Sequence, residues 1–287
     1  MPRRVGELDI NEIEKHNKAS KEEKKEMEKE ILALKEFVHQ LLKSQRQYVI
    51  PQAKKGNTLR IAACGDLHIG SLYERVDTFN SFVQLCEKEK VERILLVGDV
   101  LDGCKVYKGQ EFELYANGLH SQLEAAKKKI IKTKLPIEFV CGNHDLSFKK
   151  LCGVAVGEAI VDVLGNNWRW VGNETSMIHF KVKNKFIDVA LIHPSQTGSA
   201  YALSYRPQRI VESFTNGKPH MILIGHYHKA ELMPKYRNVI TVQTGCFEAQ
   251  TPYMVNKGIQ AHIGGWLLEL TVGRNVNRLR SEFISYY

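Results

Sequence analysis

The chain has no apolar run approaching the ~18 residues that a membrane-spanning helix needs. Its charged amino terminus offers no apolar core for a signal peptide. Six cysteines among 287 residues show no CxxC spacing and fall short of a disulfide framework. There is no internal repeat, no low-complexity segment and no long basic tail. These absences argue against a membrane protein and a secreted disulfide scaffold, and a reducing cytoplasm is the expected setting. The net charge of +9 suits an anionic partner such as nucleic acid, and equally a well-solvated surface. Residues 1–58 hold 13 basic and 10 acidic side chains, so the basic excess is spread along the chain.

Residues 7–48 contain no proline and are dense in Glu and Lys, which are good helix formers. Met27, Ile31, Leu34, Val38 and Leu41 follow 4, 3, 4, 3 spacing, a short seam of coiled-coil type. Residues 17–25 carry no such seam, so a long coiled coil is not supported. The expectation is an N-terminal helical arm over residues 1–50. It either lies on its own body or docks a second copy or a partner. Residues 51–58, with Pro51 and the stretch Ala53-Lys-Lys-Gly-Asn-Thr58, read as a linker.

From Leu59 the pattern alternates. Strands are expected to Cys64, over Arg93–Val97 and over Ile137–Cys141. Between them come helices over about 75–90 and 112–132. That order argues for parallel βαβ units. Beyond Gly165 short strands dominate, at Trp168–Val171, Ser176–Val182, Phe186–Ile192, Met221–Ile224, Val239–Thr244 and Trp266–Val272. One helix, near 207–214, interrupts them. The expected fold is α/β, with two mixed β-sheets packed face to face and helices outside, over residues 59–287.

Polar groups collect where these strands end. Ile61-Ala-Ala-Cys-Gly-Asp-Leu-His68 is an apolar run closed by Gly65 and followed by an acid and an imidazole. Similar wording recurs at Ile94–Asp99, Ile137–Asp145, Val189–His193 and Met221–His228. Ligands of open α/β sheets gather beyond the carboxyl ends of strands. Seven donors fall there: Asp66, His68, Asp99, Asn143, His193, His226 and His228. All are oxygen or imidazole donors, which suit Mn, Fe or Zn better than soft metals. Seven are too many for one tetrahedral ion and suit two ions sharing a carboxylate, the usual clamp for attack at phosphorus.

Asp66-Leu-His68, Gly98-Asp99-Val-Leu-Asp102, Gly142-Asn-His-Asp145, His193 and Gly225-His-Tyr-His228 occur in the order of the calcineurin-like metallophosphoesterases. The chain resembles that family from about Leu59 to Val272. The resemblance implies an αββα sandwich and two divalent metal ions, with Mn expected and Fe, Zn or Mg as alternatives. It implies that Asp66, His68 and His228 hold the first metal, that Asn143, His193 and His226 hold the second, and that Asp99 bridges. His144 then faces the phosphate and either stabilises developing charge or protonates the leaving oxygen while hydroxide activated by the metals attacks. Asp145 either orients His144 or caps a helix. Asp102 reads as a loop carboxylate rather than a ligand. Pro194, where many relatives have a small residue, biases His193 toward extended backbone, which suits a ligand at a strand end.

Asn143 is also expected to contact substrate. Tyr205 can stack on a base and Arg206 can contact a phosphate, with a plain helix lead-in as the alternative. His179, His262, Trp168 and Trp170 read as structural. The wording around Asp66 and Asp99 is most similar to DNA repair exonucleases of the SbcD type. Those enzymes carry a further capping domain, whereas about fifteen residues follow Val272 here. The expected activity is therefore a compact phosphodiesterase or nuclease acting on short or single-stranded nucleic acid or nucleotides. The alternatives are a phosphomonoesterase or protein phosphatase of the same fold, and a non-catalytic scaffold or polymerase-accessory subunit.

Overall fold

The computed structural model describes residues 48–51, 56–195, 202–215, 217–273 and 275–287. The expected arm lies outside them except for its last residues. In chain order the elements are β1 (Tyr48–Pro51), β2 (Thr58–Cys64), α1 (Val76–Lys88), β3 (Arg93–Val97), α2 (Leu119–Lys129), β4 (Ile137–Cys141), α3 (Asp145–Cys152), α4 (Val156–Leu164), β5 (Trp168–Asn173), β6 (Thr175–Val182), β7 (Lys185–Ile192), α5 (Tyr205–Ser213), β8 (Met221–Ile224), β9 (Ala230–Tyr236), β10 (Val239–Thr244), α6 (Pro252–Asn256), β11 (Gly264–Val272) and β12 (Val276–Ser285).

They build two mixed six-stranded sheets, ordered β1-β6-β7-β8-β10-β9 and β12-β11-β2-β3-β4-β5. The central strands β2, β3 and β4 are parallel neighbours. Every residue of β3 and β4 is buried, as strands covered on both faces require, and their two charged residues, Arg93 and Glu138, pair with each other at 2.6 Å. Alternate residues then serve different cores. Leu59, Ile61, Leu95 and Val97 join Phe180, Val189 and Leu223 between the sheets. Ala62, Cys64, Ile94 and Leu96 turn the other way, toward Phe79, Phe82 and Leu123 of α1 and α2. A third cluster sets Val211 of α5 against Ile222 and Ile224 of β8. The layers are therefore helix, sheet, sheet, helix, as expected. Among the described residues no helix is long and apolar enough to cross a membrane.

Several boundaries differ from the sequence reading. The boundary placed between arm and linker at residues 50 and 51 falls inside β1, which pairs in parallel with β6 from Tyr48↔Ile178 to Pro51↔Lys181. A four-residue strand is too short to show an alternation pattern. The helix expected over 112–132 begins only at Leu119, because Gly118 sits at φ 91° and ends the preceding loop, and residues 110–112 form a single 3-10 turn. The amphipathic α4, the two-faced polar strand β9 and the edge strand β12 went unread. Neither of the last two buries a residue fully, β9 being mostly half-buried and β12 mostly exposed, and so both lack a strong apolar period.

Candidate metal centre

Strand register brings the expected ligands together. Cys64 pairs with Leu96, and Val97 with Val140, so the segments after β2, β3 and β4 leave the sheet side by side. In the other sheet Ile192 pairs with Ile224, which places His193 beside the segment holding His226 and His228. The loops are laced together: the amides of Asp66 and His68 donate to the carbonyls of Gly98 and Asp99 at 2.9 and 3.0 Å. The amide of His226 donates to the Asp66 carboxylate at 3.0 Å.

The backbone there is unusual. Asp66, His68, Asp99, His226 and His228 all have positive φ, between 47 and 75°. Non-glycine residues adopt this region uncommonly, and such outliers gather at functional sites. Two glycines make room for the donors. A Cβ on Gly142 would lie 2.1 Å from Asp99 Oδ1, and one on Gly98 would lie 2.1 Å from His193 Nδ1.

The side chains form two adjoining groups. Asp66, His68 and His228 present donor atoms within 4.8 Å of one another, and so do Asp99, His193 and His226. In the first, His68 Nε2 faces His228 Nε2 at 3.2 Å, and Asp66 Oδ1 lies 3.4 Å from the latter. In the second, His193 Nε2 lies 3.0 Å from Asp99 Oδ2 and 3.1 Å from Asn143 Oδ1. Asp99 Oδ2 is also 3.8 Å from His68 Nε2, so this carboxylate stands between the groups. His193 Nδ1 donates to the Val97 carbonyl at 2.8 Å, which fixes the tautomer and directs the Nε2 lone pair at the site. Imidazole nitrogens and carboxylates converging behind closed backbone fit a pair of divalent cations.

The sequence profile of the calcineurin-like phosphoesterase superfamily domain matches residues 59–257. The chain belongs to the calcineurin-like phosphoesterase superfamily. Its curated relatives include the DNA polymerase II small subunit of Methanothermobacter thermautotrophicus, 25% identical over 234 residues, which is 67% of this chain and 48% of that one. The protein of the same description from Halobacterium salinarum is 32% identical over 93 residues, 31% of this chain and 18% of that one. The matched stretch thus spans less than half of either relative. Among solved structures, GAP50, the anchor in the inner membrane complex of Plasmodium, has 15% identity and a TM-score of 0.48, covering 80% of this chain and 85% of that one.

In this phosphoesterase domain burial alone disfavours charge on the clustered imidazoles. At His68 the Glu248, Asp102 and Asp99 carboxylates outweigh burial and raise its pKa to about 9. At His193 Asp99 does the same, also to about 9. At His226 burial and the neighbouring His193 act together and lower it to about 3, so that ring is neutral. Burial likewise opposes the charge of Asp99, yet His193, His144 and His68 hold it well below the carboxylate range.

His144 lies against both donor groups. Its amide donates to Asp99 Oδ1 at 2.9 Å, and its ring meets His68 edge to face at 4.5 Å between centroids. The reading of Asp145 as the residue that orients His144 is corrected. Asp145 is fully buried, and its carboxylate accepts from the amides of Leu101 at 2.8 Å, Gly142 at 2.9 Å and Val100 at 3.2 Å. It ties the β3 and β4 loops together. The His144 ring is held by Asp102, whose carbonyl accepts from Nδ1 at 2.7 Å. Asp145 does not cap α3 with its side chain either; it is the first residue of that helix. Tyr205 lies in the first turn of α5 and is half exposed. Arg206 follows it and acts electrostatically on Tyr227, the neighbour of His226. His179 pairs with Asp188 at 2.7 Å, and His262 Nδ1 accepts from the Ala230 amide, both outside the donor groups.

Glu248 was missed, and Asp102, read as a loop carboxylate rather than a ligand, proves to support an imidazole of the first donor group. Asp102 places Oδ1 2.7 Å from His68 Nδ1, as carboxylates commonly steady a metal-binding imidazole. The repeat of Asp three residues after Asp99 was the available signal. Glu248 is 3% exposed, with Oε2 3.9 Å from His68 Nε2 and 3.8 Å from His228 Nδ1. It follows the buried strand Val239–Thr244, closed by Gly245, but Thr241, Gln243 and Thr244 break the apolar wording that marks the other donor loops.

Proposed function

We propose that this phosphoesterase domain is a two-metal phosphodiesterase acting on nucleic acid or nucleotides. The observation that carries this is Asp99, one carboxylate oxygen of which faces imidazoles of both donor groups, 3.0 Å from His193 and 3.8 Å from His68. Asp66, His68 and His228 would hold one cation and Asn143, His193 and His226 the other. Bound there, the cations supply Lewis acidity toward a phosphoryl oxygen and make water acidic enough to attack at neutral pH.

The chain's own residues supply the rest. The His144 Nδ1–H is committed to the Asp102 carbonyl, which leaves Nε2 as the atom that carries a proton toward the leaving oxygen. Arg206, which acts electrostatically on Tyr227, can pair with a substrate phosphate, and Tyr205 offers a face on which a base can stack. Two relatives described as small subunits of a DNA polymerase make DNA the favoured substrate class. The test is turnover of bis-p-nitrophenyl phosphate and single-stranded DNA with Mn. Hydrolysis confined to p-nitrophenyl phosphate would overturn the assignment to diesters.

The same relatives favour a second reading, a polymerase-accessory subunit without turnover. A protein that takes up metal, cleaves none of these substrates and binds a polymerase large subunit would establish it.

A further inference from the structure

We infer that Glu248 is a ligand of the first cation, which gives that position three carboxylates and makes it the harder of the two. The inference rests on the two-cation reading and deepens it. Three carboxylates surround His68 Nε2 at nearly equal distance: Asp66 Oδ1 at 4.0 Å, Asp99 Oδ2 at 3.8 Å and Glu248 Oε2 at 3.9 Å. Two oxygen or nitrogen ligands of one Mn- or Zn-sized ion, each roughly 2.0–2.2 Å from it, stand at most about 4.4 Å apart. Glu248 therefore lies at ligand-to-ligand separation from His68, as the two expected carboxylates do.

A second observation points the same way. His228 Nδ1 is buried without a hydrogen-bond partner, and Glu248 Oε2 is 3.8 Å from it. His228 is itself only 7% exposed. Buried charges are either paired or coordinate a metal, and a buried carboxylate facing a buried imidazole nitrogen that makes no hydrogen bond, beside two more carboxylates, has the donors for the second.

The fold delivers Glu248 as it delivers the others. Strand β10 runs parallel to β8 with Gln243 beside Ile224, so the segment after Thr244 leaves the sheet next to His226 and His228. The Phe247 amide then donates to the Asp66 carbonyl at 2.9 Å and locks that segment against the first ligand loop. The second position, with Asn143, His193, His226 and the shared Asp99, holds one carboxylate and two imidazoles. Carboxylate-rich sites suit Mg and Mn, whereas imidazole-rich sites suit Zn and Fe. The two positions should therefore differ in metal preference.

The experiment is titration of metal-free wild type and Glu248→Gln with Mn and with Zn, read by calorimetry and metal analysis. Circular dichroism serves as the folding control. Wild type should bind two Mn equivalents. Glu248→Gln should lose, in affinity for one of them, more than the roughly 10–100-fold that removal of a supporting carboxylate costs, keep the other and lose less for Zn. A loss within that range would make Glu248 a support of His228 and overturn the inference. Two Mn equivalents at unchanged affinity in the variant would overturn the inference and leave the two-cation reading intact. Failure of wild type to bind any cation would overturn both. If Glu248→Gln does not fold, anomalous diffraction from Mn-soaked wild-type crystals decides, by whether a Glu248 oxygen lies within ~2.4 Å of the ion.

Discussion

One carboxylate oxygen of Asp102 lies 2.7 Å from His68 Nδ1 and directs the opposite nitrogen of that ring at His228. Asp102→Asn keeps the shape but removes the charge that steadies the imidazole. The expected result is a 10–100-fold loss in affinity for one cation, read by calorimetry, with the second equivalent unchanged. Equal affinities for both would show that His68 needs no such support.

His144 touches Asp99 through its amide and His68 through its ring, yet its Nδ1 is taken by the Asp102 carbonyl. His144→Ala should lower diesterase kcat by about 10²–10⁴-fold and leave metal content at the wild-type value. A variant that loses metal would move His144 from proton donor to ligand.

Burial opposes the charges of His68 and His193, but nearby carboxylates raise both from 6.5 to about 9. In the metal-free protein the stability these groups contribute is fully present below pH 6.5 and is lost as pH rises through about 9. Thermal midpoints in EDTA should therefore fall between pH 6.5 and 9 on account of these two residues. Replacing both with Gln should flatten that slope. Cation binding must displace the same protons, so at pH 7.5 metal addition should acidify a weakly buffered solution.

Gly142 has ordinary backbone but no space for a methyl group, since a Cβ would fall 2.1 Å from Asp99 Oδ1 and 2.7 Å from the Asp99 amide nitrogen. Gly142→Ala should cost at least ~1–3 kcal/mol in denaturant unfolding of the metal-free protein. It should also displace the shared carboxylate and reduce the content of both cations. Unchanged metal content would show that the loop yields without moving Asp99.

Removal of residues 1–47 stops short of β1 and spares every donor described above. Metal content should be unchanged. A shift in mass by light scattering would assign the arm to self-association, and loss of metal would show that it supports the site.

Much of this was legible because buried parallel strands write themselves as apolar runs. Ile94–Val97 is wholly apolar and Ile137–Cys141 is interrupted only by Glu138, which pairs with Arg93 inside the fold, so the donors that follow stand out against them. Glu248 escaped because Cys246 and Phe247 separate it from its glycine, which hides the acid from a search for a donor directly after Gly. Asp145 was misassigned because adjacency to His144 in sequence says nothing about direction. On a helix the next residue points about 100° away, and here it points into the loops of β3 and β4. Strands β9 and β12 lie at sheet edges with no fully buried residue, so no apolar period marks them.

The left-handed backbone at five donors has a further consequence. Each such residue sits uphill of its relaxed conformation, by about 1–2 kcal/mol on general grounds, and only the surrounding sandwich keeps it there. A peptide copied from any one loop, Gly65–Gly70 for instance, should spring back to ordinary geometry and turn its acid and imidazole apart. Grafting this chemistry onto another scaffold therefore means transplanting neighbouring strand ends together, as a set.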